Sequence, residues 1–169
     1  EAGEMEDPSI SPFAFKQYSS SGDLKESFSL PSFIFFPPDQ EEKIYPETDG
    51  LDCIIGELAQ VKSQELPSKV VSSAKSWLGQ KGLKEEGKIL PLLEEEKEKK
   101  ISPLDSIALL LGSIKLKWEA AFPESPFKEQ NILITVPASF DPKARSLVQK
   151  AAEKAAYPEF KFLEEPQAA

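Results

Sequence analysis

The side chains that could do chemistry form a short list. The chain of 169 residues has no histidine and one cysteine, Cys53. It therefore cannot assemble a Ser-His-Asp triad, a Cys-His dyad or a structural zinc site from its own residues. Any chemistry must rest on Lys, Arg, Asp, Glu, Ser, Thr or backbone groups. Two loops stand out because each follows a short apolar run: Pro137-Ala138-Ser139 after Ile132 to Val136, and Glu164-Glu165-Pro166 after Phe160 to Leu163. If the two runs are parallel strands of one sheet, both loops lie at the carboxyl ends of strands, the edge where open α/β sheets collect their ligands. On composition alone, Glu-Glu-Pro is a solvated turn, since exposed carboxylates are the rule.

The elements around these loops are legible. Ile132 to Val136 is short and β-branched enough for a buried strand, and Pro137 closes it because proline cannot donate to a ladder. Asp141 followed by Pro142 reads as an N-cap with proline at the first helical position. Ala144, Leu147, Val148, Ala151 and Ala155 then recur at helical spacing, with Lys143, Arg145, Lys150 and Lys154 mostly off that face. The arrangement expected is strand, helix, strand with a right-handed crossover. Ser102-Pro103-Leu104-Asp105 opens the longest helix as a capping box with Asp in place of Glu. Leu104, Ile107, Ala108, Leu111, Ile114, Trp118, Ala121 and Phe122 form its expected core stripe, and Pro123 ends it.

Upstream, Ser27 to Phe36 (SFSLPSFIFF) is interrupted by Pro31, which predicts two short strands with a kink, or an edge strand, rather than a central one. Asp49-Gly50 predicts a tight turn. Cys53 to Ile55 predicts a short strand ended by Gly56, and Glu57 to Gln64 a helix stopped by Pro67. Val70-Val71 leads into one or two helical turns that carry Lys75 and are closed by Gly79. The charge run Glu94 to Lys100 reads as a solvated loop or hairpin tip. Residues 1–26 read as a polar arm or linker, except that Phe13, Phe15 and Tyr18 have strand spacing and suit either a short edge strand or a stretch ordered by a missing remainder. The order of elements predicts an α/β fold with a mixed sheet.

The net charge of −9 and pI near 4.7 disfavour nucleic acid and anionic membrane as partners, because both need a cationic surface. No apolar run is long enough to span a bilayer. The acidic amino terminus does not resemble a signal peptide, and the lone cysteine fits a reducing compartment, so a soluble cytoplasmic protein is expected. A chain starting at Glu1 rather than Met is expected to be a piece of something longer.

Several segments resemble, in one order from about Leu30 to Ala169, the ATPase domain of the seventy-kilodalton heat-shock protein (DnaK-like) chaperone family. ILITVPASFDPKAR is similar to its Val-Pro-Ala-aromatic-Phe loop, and FLEEPQAA to its acidic-Pro-x-Ala-Ala turn. CIIGELA resembles its Ile-Gly strand end, VVSSAKSWLG its Val-Phe-Asp-Ala-Lys-Arg-Leu-Ile-Gly segment, and LPSFIFF its Thr-Pro-Ser strand. The wording is closer to divergent bacterial members. The resemblance implies that residues 27–169 are part of lobe I of an actin-like, ribonuclease H-like ATPase domain, a mixed sheet with flanking helices.

It further implies roles residue by residue. Lys75 matches the lysine that faces the γ-phosphate and the attacking water, where an ammonium would neutralise developing charge. Glu165 matches the carboxylate that meets Mg²⁺ through a bound water. Pro137 matches the proline that relays nucleotide state, and Arg145 the arginine that couples it to the interdomain linker. Glu164 stands where the family commonly has Asn: it either points away from Glu165 or, with both buried, raises the proton affinity of one of them. Ser139 departs from the usual aromatic. For the parent, the resemblance implies ATP/ADP and Mg²⁺ as cofactors, and as partners the remainder of the ATPase domain, client polypeptides, J-domain proteins and nucleotide-exchange co-chaperones. The Gly-rich phosphate hairpin is missing, Gly3 and Gly22 being the only glycines before Leu30, so weak or no ATP binding is expected of this chain alone. The alternatives are a free-standing acidic protein-interaction module and a sugar or acetate kinase relative of the same fold.

Overall fold

The computed structural model describes residues 10–38, 51–78 and 87–168. The described residues mix strands and helices, four strands coming first and helices being interleaved after them, but the strands fall into three separate ladders rather than one mixed sheet. The predicted Asp49-Gly50 turn and the Gly79 cap lie outside the described residues.

The first ladder is a hairpin of β1 (Phe15–Tyr18) and β2 (Leu24–Ser27), turned through Gly22 at φ 88°. The segment read as a polar arm is thus, over its described part, folded onto the body. Gln17, Tyr18 and Ser19 are buried. Phe13 packs edge-on against Phe15 and Trp118, with ring centroids 4.9 and 5.7 Å apart, and Lys117 Nζ donates to the Lys16 carbonyl. The strand spacing of Phe15 and Tyr18 signalled β1, whereas the polar composition hid β2 and the packing of Phe13 on Trp118.

The second ladder places β3 (Ile34–Phe35) between β4 (Ile54–Ile55) and β5 (Val70–Val71), antiparallel to both. Two short strands with a kink, or an edge strand, were expected in Ser27 to Phe36; β2 ends at Ser27, so β3 is the one strand that lies within that stretch, and it is central. Pro31 lies outside its ladder, so the missing N–H costs no pairing. Both β3 side chains are fully buried, and because successive residues of a strand face opposite ways they feed two clusters. Phe35 packs with Tyr18, Ile54, Leu58 and Val70, and Ile34 with Ile55, Val71, Ile107, Val136 and Leu147. Burying a side chain of this size contributes about 1.5–3 kcal/mol.

Helix α1 (Glu57–Glu65) begins at Gly56, which has φ 112° and no side chain to cap with. Its cap comes from forty residues upstream: Gln17 Oε1 accepts from the Glu57 N–H at 3.0 Å, while Gln17 Nε2 donates to the Ser29 carbonyl at 2.6 Å. A buried glutamine with both ends satisfied joins the hairpin to the helix. After a 3₁₀ turn at Pro67–Lys69 and β5 comes the short α2 (Ala74–Trp77).

The charge run closes on itself. Leu90 bridges Ile101, and Glu94, 8% exposed, accepts from Lys69 Nζ at 2.6 Å and from the amides of Glu95 and Glu96 at 2.9 and 3.1 Å. One carboxylate in this run is therefore an anchor and not part of a solvated tip. Hydrogen bonds from the Lys69 ammonium and the Glu96 amide pull its pKa down to about 2.

Helix α3 (Pro103–Ala121) starts with the predicted capping box between Ser102 and Asp105. Burial pushes the Asp105 carboxyl upward, but hydrogen bonds from Lys154 and Ser102 outweigh it and hold the group below its ordinary value. The expected stripe is core at Ile107 and Ala108 and packs on the core at Leu104 and Leu111. It frays at Phe122, which is 42% exposed. The third ladder is β6 (Ile132–Val136) paired in parallel with β7 (Phe160–Glu164), joined through α4 (Pro142–Lys154). Ala144, Leu147, Val148 and Ala151 are buried as read, and Ala152 takes the place expected of Ala155. α4 is clamped to α3 by the Lys154–Asp105 pair at 2.5 Å and by Tyr157, whose hydroxyl donates to the Leu111 carbonyl.

Two glycines should respond to alanine with opposite sign. At Gly56 an added Cβ would collide with Gln17 Oε1 on a left-handed backbone, so Gly56→Ala costs more than about 1 kcal/mol. Gly112, in the middle of α3, has nothing within 4 Å of an added Cβ, and Gly112→Ala gains about 0.5–1 kcal/mol. Urea midpoints of the two variants check both signs.

The Glu94 anchor gives a pH signature. Its folded pKa lies below the ordinary glutamate value of 4.5, so its contribution is complete above that value and is lost as the pH falls towards 2. Melting temperatures should show a gap between the parent chain and Glu94→Gln at neutral pH that closes between pH 4.5 and 2.

Candidate functional site

The parallel register determines which side chains meet at the carboxyl ends of β6 and β7. Val136 is opposite Glu164, and Phe160, Phe162 and Glu164 share a face at period two. Phe162 on that face packs into the core that α4 covers, so Glu164 is delivered to the first turn of α4. The loop after β6 is a tight turn in which the Phe140 N–H donates to the Pro137 carbonyl at 3.0 Å. Asp141 caps α4 by accepting from the Ala144 N–H at 2.8 Å, and Pro142 follows at the first helical position. That short start places Arg145 one turn in. Its Nη2 donates to Glu164 Oε1 at 2.6 Å and its Nε to the Phe140 carbonyl at 3.2 Å.

Lys75 arrives from the other half of the chain. β5 leads to Ser73 in the left-handed region, φ 55°, a conformation that turns the chain sharply and that non-glycine residues seldom adopt. α2 is pinned by the buried side chains of Ala74 and Leu78 on either side of the lysine. Lys75 Nζ donates to Glu165 Oε1 at 2.6 Å across ninety residues of sequence, and it lies 5.8 Å from the centroid of the Phe140 ring. The side chains are 51% and 48% exposed.

All four residues singled out in the sequence, Lys75, Pro137, Arg145 and Glu165, are thus at one rim. Glu164 resolves in favour of pointing away from Glu165: each carboxylate has its own cation, and neither is buried. The rim is a neutral quartet of two ion pairs. Sequence reading missed Phe140, the residue between them. The signal was present, since its position three residues after Pro137 in a turn and just before the helix cap leaves it no way to avoid the loop's centre.

The donor set limits what the rim can hold. Among the described residues no three His, Cys, Asp or Glu side chains gather as a metal site. Glu164 is paired with Arg145 and Glu165 with Lys75, so the rim offers a metal ion two half-exposed carboxylates, each already held by a cation. Nucleophilic chemistry at Cys53 is disfavoured: the side chain is 2% exposed, and burial, with Asp52 nearby, pushes its thiol up to about 12. No described helix is long and apolar enough to cross a membrane. The chain matches no known family model, and no curated protein is significantly similar to it.

Ion pairs this exposed contribute little to folding, about 0–1 kcal/mol each. Lys75→Met and Glu165→Gln should therefore each shift stability by less than about 1 kcal/mol in chemical denaturation. A loss of several kcal/mol would make the pair a structural clamp instead.

Proposed function

We propose that this chain is part of lobe I of an actin-like ATPase domain of the heat-shock chaperone type, whose parent protein hydrolyses Mg-ATP and couples the reaction to the binding of other polypeptides. The observation that carries the reading is the meeting of Lys75 and Glu165. Two elements ninety residues apart in sequence bring an ammonium and a carboxylate to the carboxyl-terminal rim of a parallel strand pair, where α/β folds bind ligands.

The residues fit the chemistry that phosphoryl transfer asks of a protein, which is positioning and charge compensation rather than covalent work. Lys75 is a compact cation held at a known point by Glu165 and by the Phe140 ring beneath it. An arriving phosphate oxygen would take over the lysine's hydrogen bond and free Glu165 to hold a water of the nucleotide's Mg²⁺. That ion would supply Lewis-acid charge neutralisation when bound. Arg145, fixed to Glu164 and to the Phe140 carbonyl, is positioned to carry a change at the rim into α4. On this reading the glycine-rich phosphate hairpin, the adenosine pocket and the peptide-binding domain are supplied by the parent outside residues 1–169.

The test is steady-state ATP turnover by the full-length parent. Lys75→Ala should lower kcat by about 10²–10³-fold, the usual cost of removing one preorganised charge donor, with KM changed far less. Purified residues 1–169 should be silent. Turnover by the parent that is indifferent to Lys75→Ala, or steady turnover by residues 1–169, overturns the reading.

A further inference from the structure

Phe140 touches both halves of the rim. Its amide donates to the Pro137 carbonyl at 3.0 Å, its carbonyl accepts from Arg145 Nε at 3.2 Å, and its ring lies under the Lys75 ammonium at 5.8 Å, while the same ring packs on the main core. Through the two cations it reaches Glu164 and Glu165.

We infer that Phe140 is a positioning residue that makes the Lys75–Glu165 and Arg145–Glu164 pairs a single coupled unit. Two exposed ion pairs with no shared partner respond independently to substitution, whereas groups that share one behave non-additively. Phe140 is such a partner on its backbone side for Arg145 and on its ring side for Lys75. Neither contact moves freely of the other, because the turn to Pro137 and the fixed φ of that proline restrict the backbone and the core restricts the ring. A shift of the Arg145 guanidinium therefore displaces the Phe140 carbonyl, and with it the surface on which the lysine rests. Phe140 is the one aromatic residue between Pro137 and Asp141, so the loop has a single π face. Orientation of the lysine toward a phosphate rests on the ATPase reading; the coupling of the ion pairs does not.

The experiment is NMR of residues 1–169 after reductive ¹³C-methylation of the lysines, a modification that preserves their charge, with the Lys75 resonance assigned by its loss in Lys75→Arg. The resonance should lie upfield of the exposed lysines because of the ring beneath it, and Glu164→Gln, which removes the carboxylate that holds Arg145, should move it. In Phe140→Leu the upfield position and the response to Glu164→Gln should both be lost, and Phe140→Tyr should restore both. An unmoved Lys75 signal in Glu164→Gln overturns the proposal. So does a signal that responds to Glu164→Gln as strongly in the Phe140→Leu background as with the ring present. Should Phe140→Leu fail to fold, Phe140→Met, which keeps apolar bulk in the core without a ring, takes its place with the same expected and overturning results. In the full-length parent, Phe140→Leu should lower kcat about two- to fivefold, the worth of an exposed cation–π contact, at unchanged KM. A parent without ATP turnover would count against the ATPase reading alone and leave the NMR result to judge the coupling.

Discussion

The parallel pairing of β6 with β7, with Val136 opposite Glu164, is the constraint on which the rim depends. Alternate residues of a strand share a face, so this register puts Glu164 on the face of Phe162 that meets Arg145 on α4, while Glu165, the first residue after the strand, is left for Lys75 on α2. A slip of one residue would turn Glu164 away from Arg145 and put Phe160 and Phe162 on the wrong side of the sheet. Burial of Val136, together with Ile134 and Phe162 packing against the core beneath α4, forbids that slip. Charge placement at the rim is thus set by hydrocarbon several residues away.

The energetic order runs the same way. Half-exposed ion pairs at 2.6 Å stabilise a fold only slightly, whereas the cluster that joins β3, β5, α2, α3 and α4 buries Ile34, Val71, Ala74, Leu78, Ile107, Leu147 and Val148. Lys75 reaches Glu165 because Ala74 and Leu78 hold α2 against that cluster, and Arg145 reaches Glu164 because Ala144 and Leu147 hold α4 there. The rim is a consequence of the core, so its side chains can be exchanged for function without dismantling what positions them.

Local rules made part of this legible. The Ser102–Asp105 box, the Asp141–Pro142 start and the strand, helix, strand unit all follow from groups within a few residues of one another, and the structure has each of them. What escaped were long-range obligations. Gln17 is a buried polar residue because a helix forty positions away starts at a glycine that cannot cap it, and no window around Gln17 contains that fact. Glu94 looks like one more acid in a charge run until Lys69 and two amides are brought to it by the fold. The division of the described strands into three ladders has a similar origin, since strands of only two residues, such as β3, β4 and β5, carry too little pattern to reveal which ladder they join. At the rim, resemblance picked Lys75 and Glu165, which composition alone had left as solvated side chains.

The neutrality of the rim has a further consequence for how it could meet an anion. With a net charge of −9 on the chain and each rim cation matched by a carboxylate, neither ion pair offers an approaching phosphate an excess positive charge. At physiological salt the Debye length is about 8 Å, so whatever attraction exists acts at contact distance. On the proposed ATPase reading, binding would then proceed by exchange: the anion would replace Glu165 as the partner of Lys75, and the released carboxylate would need compensation of its own. A divalent cation travelling with the anion supplies it, whereas a bare anion does not. On the proposed ATPase reading, charge balance at this rim would favour a metal-chelated phosphate over a free one, because of the Lys75–Glu165 pair itself.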